Sequence, residues 1–213
     1  MKLHDERRDY ERAQLHRSIL ETNPFKQFES WFAAAKEAAV LPDPTAFTLA
    51  TVNAARQPHQ RVVLLKNFDT AGFIFYTNYD SQKGQDIAVN PLVSMHFAWL
   101  PLEQQVRIEG TIEKIDRAAS EAYFQTRPRN SQLGALASQQ SKVIGSRSEL
   151  EAVYHDLTER YEGQDVPMPE NWGGYRIKPD YFEFWQGGKY RLHDRFGYHK
   201  NTAGTWFIER LQP

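Results

Sequence analysis

The sequence predicts a β-rich α+β fold: an antiparallel sheet or barrel with helices packed around it. Three observations carry this. From Ala46 onward the apolar pattern changes from a helical period to a period of two. Successive apolar runs are short and joined by turn-forming residues, the pattern of antiparallel strands. The chain holds 13 Phe, 10 Tyr and 5 Trp, which suits strands or a flat-ring ligand. Its 213 residues contain no linker, repeat or low-complexity stretch and read as a single domain.

Residues His4 to about Leu20 are polar with scattered Leu15, Ile19 and Leu20, and predict a loosely held helix or a charged arm. Asn23-Pro24 is a helix start, because Asn caps free N–H groups and Pro fits the first turn. Phe25, Phe28, Phe32, Ala35 and Ala39 recur at helical spacing and should face the core, and Pro42 and Pro44 should end the helix. Strands follow over Ala46–Val52, Gln60–Asn67 and Gly72–Thr77, the second reading as buried with a charge at each end. Ser81 should cap a short helix running to Asn90. Leu92–Trp99 and Gln104–Asp116 are the next strands; in the latter Val106, Ile108, Gly110 and Ile112 share one face. His96 reads as a hydrogen-bonded core histidine. Asp116 should cap a helix to about Thr126, Pro128 should break it and Ser131 should start another. Ser148-Glu149-Leu150-Glu151 reads as a capping box for a helix to about Tyr161, with Leu150, Val153, Leu157 and Tyr161 as its apolar stripe. Trp172–Pro179, Tyr181–Gln186, Tyr190–Tyr198 and Thr205–Leu211 complete the sheet.

Lys and Arg number 26 against 27 Asp and Glu, so bulk charge does not make the chain a polyanion binder. A phosphate site must be built locally, and nucleic acid is not an expected partner. No cysteine is present, which excludes disulfides, thiolate zinc sites and cysteine nucleophiles and suits a cytoplasmic protein. No metal site is expected. The charged segment Asp5-Glu6-Arg7-Arg8-Asp9 is neither a secretory signal nor a membrane anchor.

Three stretches invite chemistry. Lys83 lies in the first turn after Ser81, where a cation opposes the helix dipole unless an anion neutralises both. Arg127, Arg129 and Ser131 cluster at a helix break, either as an anion clamp or as solvated arginines. The third is Glu183 to Arg195, E-F-W-Q-G-G-K-Y-R-L-H-D-R. It reads as an aromatic strand, a Gly187-Gly188 turn using positive φ, and a return strand through Tyr190. On that strand Arg191, His193 and Arg195 alternate and share one face. Such a face repels itself unless something anionic or electron-rich lies against it; the alternative is a solvated strand face.

E-F-W-Q-G followed by R-L-H-D-R, with Asn171-Trp172-Gly173-Gly174 upstream, resembles the C-terminal signature of the pyridoxine (pyridoxamine) 5′-phosphate oxidases. R-V-V-L-L-K from Arg61, Ser81-Gln82-Lys83, R-P-R-N-S-Q-L-G-A from Arg127 and S-Q-Q-S ending at Ser141 stand in that family's order. The resemblance implies an FMN-binding split antiparallel β-barrel with surrounding helices, and a homodimer with FMN at the interface. It implies FMN-dependent oxidation of pyridoxine 5′-phosphate and pyridoxamine 5′-phosphate to pyridoxal 5′-phosphate. Dioxygen would accept the electrons, giving hydrogen peroxide, with ammonia from the amine.

The same resemblance assigns residues. Flavin contacts would come from the strand Arg61, Val62, Val63, Leu64, Leu65 and Lys66, with Arg61 on the FMN phosphate. Tyr76, Thr77, Gln82 and Lys83 would add to them, as would Gln105, Gln140 and Ser141. Trp185 and Arg195 would border the flavin. Lys66, Tyr123, Arg127 and Ser131 would clamp the substrate phosphate; on a regular strand Arg61 and Lys66 face opposite sides and would serve two phosphates. Arg191 and His193 would face the substrate ring as the catalytic pair. Arg7 and Tyr10 would act from a flexible arm over residues 1–22 that forms a lid, and residues 170–213 carry the C-terminal motif. The chain departs from the family at Gln82, where an arginine is usual, so a charged and potentially bidentate contact becomes a neutral one.

Two other readings compete: a related split-barrel flavoprotein such as a flavin reductase or nicotinamide-using enzyme, and a non-catalytic carrier of FMN or pyridoxal phosphate. The joint presence of the Arg127 cluster and the Arg191-His193 pair favours the oxidase.

Overall fold

The computed structural model describes His4 and residues 9–213. Its strands are β1 (Ala46–Val52), β2 (Pro58–Leu64), β3 (Asn67–Asp69), β4 (Gly72–Asn78), β5 (Leu92–Trp99), β6 (Gln104–Lys114), β7 (Trp172–Gln186), β8 (Asp194–Lys200) and β9 (Trp206–Leu211). They form one antiparallel sheet in the order β2-β1-β5-β6-β7-β4-β3, with β8 added to β7 and β9 to β8. Around it lie α1 (Pro24–Glu37), α2 (Gln82–Val89), α3 (Arg117–Thr126), α4 (Arg129–Ala137) and α5 (Arg147–Arg160). The fold is α+β, a curled half-barrel sheet with helices on it.

Strand β7 explains the curl. Its first half pairs with β4 and its second half with β8, while β6 runs along both. The register slips where Glu109 meets Tyr181 and Gly110 meets Pro179, leaving Asp180 as an extra residue. A bulge of this kind bends and twists the sheet, and it is a position where Pro179 needs no ladder N–H. Two segments expected as separate strands are therefore one.

The period-two apolar residues of β1, β5 and β6 point into a core rich in phenylalanine. Phe47, Leu49, Met95, Phe97, Val106 and Ile108 are all buried. α1 closes this core from one side. Asn23 accepts a hydrogen bond from the Phe25 N–H at 2.9 Å and so caps the helix. Phe28 then meets the rings of Phe68, Phe73 and Phe97 at 5.0–5.1 Å. Burying such a ring contributes about 2–3 kcal/mol.

Several expectations are corrected. The amino-terminal segment contains a short 3-10 turn at Arg17–Ile19 rather than a helix, and it is pinned by buried Leu15 and Leu20. α1 stops at Glu37, before Pro42, because Ala39 takes a left-handed φ of 50°; Ala39 is exposed, and Trp31 joins the buried stripe instead. β2 is an edge strand, not a buried one: it pairs only with β1, and Val62 is 66% exposed. It ends at Leu64, short of Lys66. Ser81 is the residue before α2 but its hydroxyl makes no cap; it donates to the Asn78 carbonyl. α4 starts at Arg129, two residues before Ser131. α5 is capped by Ser146, which accepts from the Glu149 N–H at 3.2 Å, and its apolar stripe is only half-buried. His96 is satisfied as expected, by Gln105 Oε1 at 3.0 Å.

The hairpin after β7 also differs. Neither Gly187 nor Gly188 has positive φ; Tyr190 and Arg191 do, at 56° and 64°, inside a 3-10 turn over Lys189–Arg191. β8 begins at Asp194, so Arg191, His193 and Arg195 do not share a strand face. Gly187 is needed for a different reason: a Cβ there would lie 2.5 Å from a ring carbon of Tyr10.

Candidate active site

A cleft of ≈ 700 Å³ opens between β2, β4, the start of α2, and the α3–α4 break. Both Arg61 and Lys66 line it, against the expectation of opposite faces, since β2 ends between them and strand parity no longer applies. Val62, Val63 and Leu64 line it too; Leu65 turns into the core and is 5% exposed.

One end of the cleft is cationic. Lys83 is 7% exposed, and its Nζ donates to Ser81 Oγ and Gln140 Oε1, each at 3.0 Å. Both acceptors are neutral. Burial and the neighbouring Arg61 draw its pKa down to about 8. Arg61 donates through Nη1 to the Leu49 carbonyl, Thr51 Oγ1 and the His59 carbonyl. Burial lowers its pKa despite nearby Asp86. Thr77 donates to Gln140 Oε1 at 3.2 Å, which ties the loop after α4 to this end. Ser141 follows in a left-handed turn with φ of 72° and lines the cleft. Gln82 also lines it, but its amide nitrogen is engaged by Asp86 Oδ1 at 2.9 Å.

The other end is aromatic. Tyr76 and Tyr123 stack with ring centroids 3.8 Å apart, and Trp172 lies nearly parallel to both. The Arg127 guanidinium sits 4.7 Å from the Trp172 ring centre and 5.4 Å from that of Phe124. Its Nη1 is buried with no hydrogen-bond partner among the described residues. Leaving a charged donor unmade costs about 1–3 kcal/mol or more unless a ligand supplies the acceptor. Burial lowers the Arg127 pKa, opposed by Tyr123. Ser131 and Lys66 also line the cleft. Sequence reasoning missed Trp172 as a wall of the cleft, although it stands in the quoted Asn171-Trp172-Gly173-Gly174 motif.

The remaining site residues gather elsewhere on the chain. Tyr10 packs edge-on against Trp185 and His193, with centroids 5.7 and 5.3 Å away. His193 Nδ1 accepts the Gly188 N–H at 3.1 Å, so the neutral ring carries its proton on Nε2. Burial and adjacent Arg191 lower its pKa. Arg191 is exposed. Arg195 donates to Glu183 Oε1 and Arg107 to Glu183 Oε2, each at 2.7 Å. Gln105, Trp185 and Arg195 are directly opposite one another on β6, β7 and β8. None of Gln105, Trp185, Arg191, His193 or Arg195 lines the cleft of their own chain. Arg7 lies outside the described residues.

The amino-terminal arm is strapped to this second cluster. Glu103 accepts the N–H groups of Glu11 and Arg12, both at 3.0 Å, and Asp194 accepts that of Leu15 at 2.9 Å. Both bonds go to Glu103 Oε2, so Glu103→Ala removes two hydrogen bonds to a charged acceptor, worth about 1.5–3 kcal/mol each. The arm should then be cut faster at Arg12 in limited proteolysis; an unchanged rate would show that Glu103 does not hold it.

Among the described residues no helix is long and apolar enough to cross a membrane, and no cluster of His, Asp and Glu could hold a metal ion.

Comparison with known proteins agrees with this geometry. Residues 33–161 match the pyridoxamine 5′-phosphate oxidase family, and residues 172–213 match the pyridoxine 5′-phosphate oxidase C-terminal dimerisation region. The pyridoxine/pyridoxamine 5′-phosphate oxidase of Idiomarina loihiensis is 53% identical over 213 residues, covering 100% of both chains. The crystal structure of PhzG from Burkholderia lata, in complex with tetrahydrophenazine-1-carboxylic acid, superimposes with a TM-score of 0.87 at 28% identity, over 93% of this chain and 98% of that one. A pyridoxamine 5′-phosphate oxidase-related, FMN-binding protein from Nostoc punctiforme gives a TM-score of 0.71 at 18% identity, over 90% of this chain and 98% of that one, a likeness of fold alone. The architecture is the FMN-binding split barrel. On its two family matches and its full-length identity to a curated relative, the chain belongs to the pyridoxamine 5′-phosphate oxidase family.

Proposed function

We infer that this protein oxidises pyridoxine 5′-phosphate and pyridoxamine 5′-phosphate to pyridoxal 5′-phosphate with FMN as cofactor. The observation that carries the reading is a cleft with cations in two places: buried Lys83 beside Arg61, and half-buried Arg127 against the aromatic wall of Tyr76, Tyr123 and Trp172. Such a cleft fits two phosphorylated, flat-ringed molecules side by side. Buried Lys83 has only neutral hydrogen-bond partners, and Arg127 Nη1 has none among the described residues, so each of these two cations is placed to meet an anion from a ligand.

The roles follow from position. Arg61, Lys83 and the Gln140–Ser141 loop hold the FMN phosphate, and β2 with Tyr76 and Thr77 lies along the cofactor. Lys66, Tyr123, Arg127 and Ser131 hold the substrate phosphate. When bound, FMN supplies the ring that accepts a hydride from the substrate's exocyclic carbon, and dioxygen regenerates it. Binding energy from the substrate phosphate, remote from the reacting carbon, is used to orient that carbon. Arg191 and His193 position the substrate ring, and His193 Nε2 is the atom placed to move a proton. Arg195, aligned by Glu183, offers positive charge to the developing negative charge beside Trp185.

Trp185, Arg191, His193 and Arg195 belong to the matched dimerisation region, which supports a homodimer. Since they stand outside their own chain's cleft, the second copy brings them to it, with FMN at the interface. Tyr10, with the described part of the arm that follows it, then covers the substrate. The reading takes residues 1–213 as one unit, whose sheet runs through both family matches.

The test is turnover by FMN-reconstituted protein given pyridoxine 5′-phosphate in air. Pyridoxal 5′-phosphate and hydrogen peroxide should form in equal amounts over many turnovers; bound flavin with neither product would refute the oxidase reading.

A pH effect follows from Lys83. Its folded pKa, about 8, lies below the ordinary value of 10.5. Between these values the unfolded chain binds more protons, so stability of the free protein rises with pH across that window. A bound phosphate favours the charged lysine, so FMN affinity should fall as pH rises through about 8. Lys83→Met should flatten that fall in a fluorescence titration; a persisting fall would assign it to another group.

A further inference from the structure

The cationic end of the cleft contains a carboxylate that the reaction does not use. Asp86, on the second turn of α2, is 2% exposed. Its Oδ2 accepts from the Thr51 hydroxyl at 2.7 Å and from His59 Nδ1 at 2.9 Å, and lies 3.8 Å from Arg61 Nη2. Its Oδ1 takes the Gln82 amide at 2.9 Å. Burial pushes the carboxyl up, but hydrogen bonds from Thr51, His59 and Gln82 outweigh it and hold the pKa below the usual range. The group is therefore an anion beside an anion subsite. The charged and titratable groups around it are His59 and Arg61 on β2 and Lys83 on α2 itself; β1 contributes the neutral Thr51 hydroxyl.

Arg61 does not need Asp86 to stay in place, because its Nη1 already has three oxygen acceptors. The carboxylate's effect on Arg61 is chiefly electrostatic. It also takes one of the two N–H donors of the Gln82 amide.

We propose that Asp86 sets the anion affinity of this subsite: its carboxylate is a counter-charge already held by Arg61, and an incoming phosphate must share Arg61 with it. The proposal rests on reading this end of the cleft as the FMN phosphate subsite. The buried carboxylate, 3.8 Å from Arg61 Nη2, repels a phosphate that approaches the same guanidinium. Asp86 is thus a positioning residue that acts through Arg61 and Gln82, and it touches neither cofactor nor substrate.

The experiment measures FMN dissociation constants by fluorescence quenching for wild-type and Asp86→Asn protein at about pH 8, where the phosphate is a dianion. The variant should bind FMN about five-fold more tightly, the size expected for removing one screened charge several ångströms from a dianion. Comparing the two proteins at the same pH cancels the ligand's own ionisation. Riboflavin, which lacks the phosphate, should bind both proteins alike. Equal or weaker FMN binding by Asp86→Asn, or the same change with riboflavin, would overturn the proposal.

Should Asp86→Asn fail to fold, Asp86→Ser decides. It too removes the charge and should bind FMN several-fold more tightly; equal or weaker binding would refute the idea. If wild-type protein bound no FMN, the cofactor reading would fall separately. The same comparison, made with inorganic phosphate by thermal shift, would then decide the role of Asp86.

Discussion

Arg127→Ala is expected to raise the KM for pyridoxine 5′-phosphate by about 100-fold, through loss of charged hydrogen bonds worth about 1.5–3 kcal/mol each. The guanidinium is already desolvated against Trp172 and Phe124, and its Nη1 waits for an acceptor. A ligand phosphate that meets it finds a donor whose alignment has been settled by the fold. FMN affinity should change by less than about two-fold, since Arg61 and Lys83 stand at the opposite end of the cleft. Arg127→Lys should recover little, because an ammonium neither stacks on Trp172 nor presents a planar fork. Steady-state kinetics and a flavin titration on one preparation separate these effects. Loss of flavin with unchanged KM would move Arg127 to the cofactor.

The second large effect concerns stability. Gly84 sits in the first half of α2, and a Cβ there would lie 1.9 Å from the Tyr79 carbonyl oxygen and 2.5 Å from its carbon. Both are backbone atoms, so no side-chain rotation relieves the clash. The Tyr79 ring is itself fixed, donating its hydroxyl to the Gly174 carbonyl at 3.0 Å. Gly84→Ala must therefore push α2 away from the sheet, at a cost of about 3 kcal/mol or more. Helix propensity predicts the opposite sign, a gain of about 1 kcal/mol for alanine over glycine. Thermal unfolding decides which wins, and an unchanged or raised Tm would contradict the close approach. Because Lys83 precedes Gly84, the displaced helix should also lose FMN affinity.

Local signals in the sequence were reliable where the physics is local. Asn23 caps α1, Asp116 caps α3, and β1 and β5 run over the residues that their alternation marks. Two kinds of information were not local. The first is a choice between equal signals: Ser146 and Ser148 each precede a glutamate by three residues, and only packing of α5 on α4 selects Ser146. The second is convergence in space. Arg61 and Lys66 share a cleft because β2 ends between them, which no parity argument on a regular strand reveals. Asp86 gathers partners from β1, β2 and its own helix, and no spacing in the chain announces it. The apolar Val62-Val63-Leu64 looked like a core strand because a cleft wall and a core wall are equally apolar in sequence.

The Gly187-Gly188 pair shows the same limit at the site itself. Its composition suggested a hairpin turn, yet the left-handed residues are Tyr190 and Arg191. The glycine is required by Tyr10, a residue 177 positions earlier that seats its ring on Gly187. What identified this stretch was its resemblance to a family signature, while its geometry came from a contact with the arm.

The central claim is that each active site joins the cleft of one chain to the Arg191–Arg195 segment of the other. Mixing subunits tests it most directly. Arg127→Ala protein disables the cleft and Arg191→Ala disables the segment, so each homodimer should turn over poorly. Co-expressed or co-refolded in equal amounts, they should form mixed dimers with one intact site in two. Turnover should then rise to about a quarter of the wild-type rate, as random two-fold pairing requires. A mixture no more active than its parents would contradict the shared site.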